Sequence, residues 1–230
     1  MELDDLILNP SQPTLFDLGE SSQGMVELFP AIWQLSEALF SPDMVVRRAA
    51  VQQIVETDAA RMLPLVAYIL ATRITEKDID IRTEVIYALS EILLPDRDGL
   101  PPSEPVRQCL SAYMAQMRTR QIYALLQVLP KRPDLEQGVA RLLNACPYAG
   151  NQLADILTSR KVPLDIRRHA VRLIGLVGYL DAIPALERQL VRLESRLNGQ
   201  QSMSFAPVDM VEDAVLIPDI RRALAFLRSP

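Results

Sequence analysis

A short stretch of sequence occurs three times in this chain, and it constrains the fold more than any other feature. The run DIRRHAVRLIGLVGYLDAIPAL begins at Asp165, DIRRALAFL begins at Asp219 and DIRTEVIYAL begins at Asp80. Each copy combines charged residues with apolar residues at helical spacing. Such recurrence is typical of one supersecondary unit copied along a solenoid, because a single unit cannot bury its apolar face alone.

The apolar residues of the longest copy follow a helical period. From Ile166 they recur at i+4, i+7, i+8 and i+11, which predicts one buried stripe along a helix. The same offsets reach only apolar residues from three other starting points: Ile81, Val106 and Leu135. From Val46 two of the positions are polar, Gln53 and Thr57, so this match is weaker.

An arginine directly follows the first position of the stripe in five of the copies: Arg47, Arg82, Arg107, Arg167 and Arg221. Glu136 takes that place in the copy that begins at Leu135. We expect the arginine to pair with acidic residues or carbonyl groups of a neighbouring unit and so to fix how units stack. Ala170, Gly175 and Gly178 supply small residues for close approach.

Residues 46–196 resemble HEAT repeats, and most closely the short HEAT-like repeats named after phycobilisome lyases. The resemblance is carried by DIRRHAVRLIGLVG and the following YLDAIPALERQL, which look like that family's first helix, a turn with Asp181, and a second helix with Pro184 near its start. Proline is tolerated there because the first turn of a helix has unpaired amides. The resemblance implies an all-α fold, an α-solenoid of about ten or eleven helices.

The same comparison predicts how the chain is divided. Residues 1–24 are expected to form a flexible acidic segment, and residues 25–197 the solenoid. The step from Ile81 to Val106 is short, so one partner helix is expected to be missing, with an irregular proline-rich junction at residues 95–105 in its place. Residues 198–217 form a polar insertion, and residues 218–230 a C-terminal capping helix.

Composition gives little support for catalysis. The single histidine, His169, excludes histidine-rich metal sites and is expected to be a partly exposed surface residue. No glycine-rich phosphate loop and no nucleophile elbow occurs. Cys109 and Cys146 lie in apolar helical patterns without metal-ligand spacing, so we expect buried, reduced thiols. We therefore expect no enzyme activity, no cofactor and no bound metal.

The charge distribution narrows the class of partner. The net charge is −5, which disfavours general binding to nucleic acid. The first thirty residues hold six carboxylates and no lysine or arginine, whereas residues 160–200 carry an excess of basic residues. The N-terminus has neither the basic start nor the apolar run of a signal peptide, so we expect a cytoplasmic protein without a membrane anchor.

Two segments are candidate partner-binding sites. Three arginines fall at i, i+4 and i+8 on one predicted helix and could accept an acidic peptide: Arg188, Arg192 and Arg196. In the N-terminal segment, QPTLF resembles the Q-x-x-L-F peptide by which bacterial proteins bind the sliding clamp, matching at Gln12, Leu15 and Phe16. A short peptide of this kind docks into a groove on its own solenoid or on another protein.

The resulting functional hypothesis is a non-catalytic scaffold of the HEAT-repeat type that binds one or more proteins or acidic peptides. One alternative is an accessory subunit of the lyase or chaperone type, acting on a partner protein. A second alternative is a HEAT-like nucleic-acid enzyme of the alkylpurine glycosylase kind. Such an enzyme needs aromatic and basic residues along its concave face, and the one tryptophan, Trp33, precedes the repeats.

Overall fold

The computed structural model describes residue 30 and residues 33–96, 99–200 and 213–229. Within these ranges every regular element is helical. The α-helices are α1 (residues 33–38), α2 (Met44–Glu56), α3 (Ala59–Met62), α4 (Pro64–Thr72), α5 (Ile79–Ile92), α6 (Glu104–Ala115), α7 (Thr119–Leu126), α8 (Glu136–Asn144), α9 (Ala149–Thr158), α10 (Leu164–Val177), α11 (Ile183–Gln200) and α12 (Leu216–Arg228). Short 3₁₀ turns lie at Arg73–Thr75, Pro133–Leu135 and Leu180–Ala182.

Local sequence explains where the helices begin and end. Asp43 and Asp78 are the N-caps of α2 and α5, and their carboxylates accept hydrogen bonds from backbone amides of the first turn. Pro64 and Pro105 occupy first-turn positions of α4 and α6, where the missing amide costs no hydrogen bond. Gly178 ends α10 in the left-handed conformation, at φ 87°.

The helices contact one another in two series. In the first series, each of α2, α5, α8, α10 and α12 contacts the next. In the second series, α4 contacts α6, α7 contacts α9, and α9 contacts α11. Cross-contacts such as α4 with α5, α9 with α10 and α11 with α12 join the two series, and one continuous apolar core includes residues from both.

The predicted stripes are largely confirmed. The inward positions counted from Ile81 and from Leu135 are all buried, and those counted from Ile166 are buried except for Val177, which is partly buried. The weak match at Val46 is confirmed only in part: Ala50 and Ile54 are buried, but Val46 itself is exposed, as are both of its polar positions. Val51, which is not one of the predicted positions, is also buried.

Helix α6 differs from the prediction. Val106 and its stripe are buried as expected, except that Tyr113 is only partly buried, but α6 packs chiefly against α4 and also contacts α3, so it belongs to the second series. Between α5 and α8 the chain therefore has an additional second-series helix, and no partner helix is missing there. A buried stripe identifies the face of a helix that is covered, but it does not identify the helix that covers it.

The helices number twelve within the described residues, slightly more than the ten or eleven expected. Helix α3 is a single turn, separated from α4 by the extended residue Leu63. Of the proline-rich junction predicted at residues 95–105, residues 95–96 and 99–103 contain no helix, whereas residues 104–105 belong to α6. There Leu100 donates a backbone hydrogen bond to the Asp96 carboxylate and accepts one from the Asp96 amide.

Gly175, inside α10, and Gly178, directly after it, have different roles. A Cβ placed on Gly175 would lie 3.0 Å from the Cα of Ala223, so this glycine does permit α10 and α12 to approach closely. Nothing lies within 4 Å of the corresponding position at Gly178. The prediction that Gly178 serves close approach is therefore wrong: its left-handed conformation is what requires glycine.

Candidate partner-binding surfaces

Three of the repeated arginines make the same kind of bridge. The Arg47 guanidinium donates to the carbonyls of Ser41 and Pro42, just before α2, and to the Glu76 carboxylate, just before α5, at 2.9, 3.0 and 3.0 Å. Arg47 thus joins the residues just before its own first-series helix, α2, to the segment just before α5, the next helix of that series. The expected pairing with a neighbouring unit is confirmed at this position.

Arg82 and Arg167 repeat the pattern with less exposure to solvent. Arg82 donates to the Glu76 carbonyl at 2.7 Å and to the Gln127 side chain, which follows α7, at 2.6 Å. Arg167 donates to the Leu157 carbonyl at 2.8 Å and also pairs with Asp213, just before α12. Because these guanidinium groups are buried and hydrogen-bonded at both ends, their role is structural.

Arg107 and Arg221 also follow the first position of a stripe, but they do not make this bridge. Arg107 pairs only with Glu104 of its own helix, which agrees with the placement of α6 outside the first series. Arg221 is exposed and pairs with Glu194 of α11 at 2.6 Å. Glu136, which replaces the arginine in α8, instead accepts from Arg172 at 2.7 Å.

The three predicted peptide-binding arginines lie together on α11. Arg188 and Arg192 are exposed and Arg196 is half-buried. None of the three has an ion-pair partner among the described residues. Val191, which lies three residues after Arg188 on the same helix, is 61% exposed, so an exposed apolar side chain accompanies the charges.

The carboxylates of α11 are turned away from these arginines. Glu187 pairs with Arg228, and Glu194 pairs with Arg221, both on α12. The α11–α12 contact therefore uses the acidic residues of α11 and leaves its arginines without compensation. This separation of charge cannot be read from the sequence of α11, in which acidic and basic residues are interspersed.

A fourth arginine joins the group from the loop between α9 and α10. The pKa of Arg196 is lowered by burial first, and then by the like charges of Arg192 and Arg160. Arg160 thus lies close enough to Arg196 to repel it, although sequence spacing had not linked the two. We call Arg160, Arg188, Val191, Arg192 and Arg196 the basic face.

The second predicted site, formed by Gln12, Leu15 and Phe16, lies outside the described residues. The expected flexible segment 1–24 and most of the polar insertion 198–217 lie outside them as well. The capping helix predicted at residues 218–230 corresponds to α12, which begins two residues earlier, at Leu216.

A groove that the sequence had not indicated lies between α2, α3 and α5. It has a volume of about 710 Å³, and the carboxylates of Glu56, Asp58, Glu91 and Asp96 line it. We call this the acidic groove. Nothing in local sequence relates Asp96 to Glu56, because the junction must first fold back against α2 and α3.

The residues considered for catalysis occupy ordinary structural environments. His169 is half-buried, with Nδ1 3.7 Å from Oε1 of Glu136. Burial lowers the pKa of His169 and Arg172 lowers it further, while Glu136 opposes this. Cys109 and Cys146 form no disulfide, and burial raises the pKa of both thiols. Cys146 is buried as expected, and Cys109 is only partly so.

The described residues contain neither a candidate metal site nor a helix that could span a membrane. No group of three or more His, Cys, Asp or Glu side chains in the described ranges is arranged to hold a metal ion. None of the helices described has the length and apolar character needed to cross a membrane.

Comparisons with protein-family models, with curated proteins and with solved structures find no match to this chain. The resemblance to HEAT repeats therefore depends on the sequence motifs, and the function has to be argued from the surfaces of the molecule.

Proposed function

We propose that this chain is a HEAT-like α-solenoid that works as a non-catalytic interaction scaffold and that its basic face binds an acidic peptide of a partner protein. The ordered contacts of the first series from α2 to α12 support the solenoid, because repeat units in such arrays contact mainly their neighbours. The bridging arginines support it as well, since each ties one unit to the next.

The observation that carries the binding proposal is the uncompensated charge of the basic face. Most other arginines of the chain are paired with carboxylates or backbone carbonyls, including both exposed arginines that contact α11 from α12. None of the four guanidinium groups of the basic face forms an ion pair with a described residue, and Asp213, a carboxylate that raises the pKa of Arg196, is itself paired with Arg167. Exposed charge of one sign that is not used within the molecule attracts ligands of opposite charge.

The expected affinity follows from the number of groups. Exposed ion pairs contribute up to about 1 kcal/mol each, so four pairs give at most about 4 kcal/mol, equivalent to a Kd of about 1 mM. Burying one Leu or Phe side chain of the peptide beside Val191 adds about 2 kcal/mol and lowers the Kd to some tens of µM. Binding therefore requires both an acidic residue cluster and an apolar anchor.

A peptide with this chemistry is available in the chain itself. Residues 1–24 carry five carboxylates and no basic residue, together with Leu15 and Phe16 as apolar anchors. The assay uses a fluorescent peptide of residues 1–24 and a chain that begins at residue 25, so that no covalent copy competes. Fluorescence anisotropy is measured at about 50 mM and about 300 mM salt, which bracket the range of strong and weak charge attraction.

The expected result is a Kd of some tens of µM that rises steeply with salt. Arg188→Gln with Arg192→Gln weakens binding about tenfold, since each removes about 1 kcal/mol or slightly less. The matched control is Arg120→Gln with Arg222→Gln, which removes two exposed arginines elsewhere and leaves the Kd unchanged. Equal binding by the two double variants, or no binding at about 1 mM chain, contradicts the proposal.

A further inference from the structure

The acidic groove holds more negative charge than the molecule uses. Of its carboxylates, Asp58 lies 3.7 Å from the Arg61 guanidinium, which already donates to the carbonyls of Glu91 and Leu94. Glu56 and Glu91 have no ion-pair partner among the described residues. One guanidinium, largely committed to backbone carbonyls, therefore faces three carboxylates, those of Asp58, Glu56 and Glu91.

Apolar side chains are also exposed in the wall of the groove. Val55 is 44% exposed and Tyr87 is 46% exposed, and Pro95 lines the same cavity. The groove thus combines exposed apolar surface with negative charge. A ligand that fits it has to supply basic groups next to an apolar side chain.

The basic face has this composition, with four arginines around Val191. The groove is built by α2, α3 and α5 and the basic face by α11 and the loop between α9 and α10, so the two surfaces lie toward opposite ends of the contact series that runs from α2 to α12. A meeting of the two surfaces therefore joins two copies of the chain.

We propose that the basic face of one copy docks into the acidic groove of a second copy. The proposal shares the basic face with the proposed function, but it adds a second surface and names a second copy as the partner. The contact is heterologous, because it uses a different surface on each copy, so every docked copy still presents one free groove and one free face. Association then continues beyond the dimer, into open chains or rings.

The overall charge of −5 does not prevent this contact. Charges on separate copies that lie more than about 8 Å apart are largely screened at physiological ionic strength, whereas opposed groups in the contact lie closer than that. Charge still limits the affinity, because most of the paired groups are exposed. We therefore expect weak association that increases with concentration and decreases with salt.

The test is sedimentation velocity of the full chain between about 1 µM and about 1 mM, the range over which weak contacts become populated. Wild type and three variants are compared at low and high salt. The groove variant carries Glu56→Gln and Glu91→Gln. The face variant carries Arg188→Gln and Arg192→Gln. The matched control carries Arg120→Gln and Arg222→Gln. Neutral substitutions are used so that no new charge attraction is created.

The expected result has three parts. Wild type and control form species larger than a dimer at low salt and dissociate at high salt. The groove variant and the face variant each remain monomeric. A mixture of these two variants forms a 1:1 dimer that does not grow, because only one intact groove and one intact face remain to meet. Recovery in the mixture also demonstrates that both variants are folded.

The proposal is overturned if wild type stays monomeric at the highest concentration, or if association survives in either variant alone. It is also overturned if the mixture of the two variants stays monomeric. The groove variant has an intact basic face, so its binding of the peptide of residues 1–24, measured with the chain begun at residue 25 as before, tests the proposed function separately. Peptide binding without self-association leaves the proposed function in place and rejects the docking of copies.

Discussion

Replacing Arg167 by methionine tests whether the repeated arginine is a structural bridge. The Arg167 side chain is 3% exposed, its Nε donates to the Leu157 carbonyl at 2.8 Å, and it pairs with Asp213. Methionine keeps the apolar stem but removes every donor. The Leu157 carbonyl loses its charged partner and the Asp213 carboxylate is left without one.

The size of the effect follows from these two losses. Breaking a buried ion pair costs about 3–5 kcal/mol, and the lower end applies because Asp213 retains some contact with water. We therefore expect Arg167→Met to lower the free energy of unfolding by about 3 kcal/mol. In a chain of this length that corresponds to about 6–12 °C in Tm.

Arg107→Met is the matched control, since Arg107 has the same place in the sequence pattern. It pairs only with Glu104 on its own helix and both groups are exposed, so the expected loss is below about 1 kcal/mol. Denaturant unfolding followed by circular dichroism measures both. Adding Asp213→Asn to Arg167→Met should recover stability, because it removes the unpaired carboxylate. Equal losses for Arg167→Met and Arg107→Met would refute the reasoning.

Three further predictions concern the core, the response to acid and the N-terminal segment. Ile174 is fully buried, so Ile174→Asp should cost at least about 4 kcal/mol, and an unchanged Tm would contradict the stripe. Burial raises the pKa of Glu76, but the hydrogen bonds that Arg73, Arg47 and the backbone donate lower it by more. The pKa of Glu76 is therefore below its usual value. The stability it contributes is therefore present above its unfolded pKa and lost as pH falls through its folded pKa, so wild type should lose stability on acidification faster than Glu76→Gln. Parallel pH profiles would exclude this role. Removal of residues 1–24 should leave Tm and helical circular dichroism nearly unchanged, and a large decrease in either would place that segment in the core.

The sequence predicts most of the buried face of the fold, and it fails where neighbours have to be assigned. The positions counted from Ile166 and the bridges of the repeated arginines depend on local periodicity, which is visible in the sequence. The placement of α6 against α4 depends on long-range packing, and the stripe from Val106 is compatible with either series. Gly175 and Gly178 look alike in sequence, and only their backbone conformations and neighbours distinguish them.

The sequence likewise predicts one part of the candidate surfaces, and the rest depends on how the helices pack. The spacing of Arg188, Arg192 and Arg196 predicts one exposed face, and the structure places them on one. That they remain unpaired depends on the register of α11 against α12, by which Glu187 and Glu194 bind arginines of the other helix. The acidic groove is formed by residues far apart in sequence, so no local sequence pattern predicts it.

Hydrogen exchange measured by mass spectrometry, with and without the peptide of residues 1–24, tests the central claim most directly, because it locates the bound peptide. The chain begins at residue 25, as in the anisotropy assay, and the Arg188→Gln with Arg192→Gln variant is measured in parallel. We predict slower exchange in α11 and in the loop that holds Arg160, and no such change in the variant. Protection that avoids α11, or that is equal in the variant, would contradict the assignment of the basic face as the peptide-binding surface.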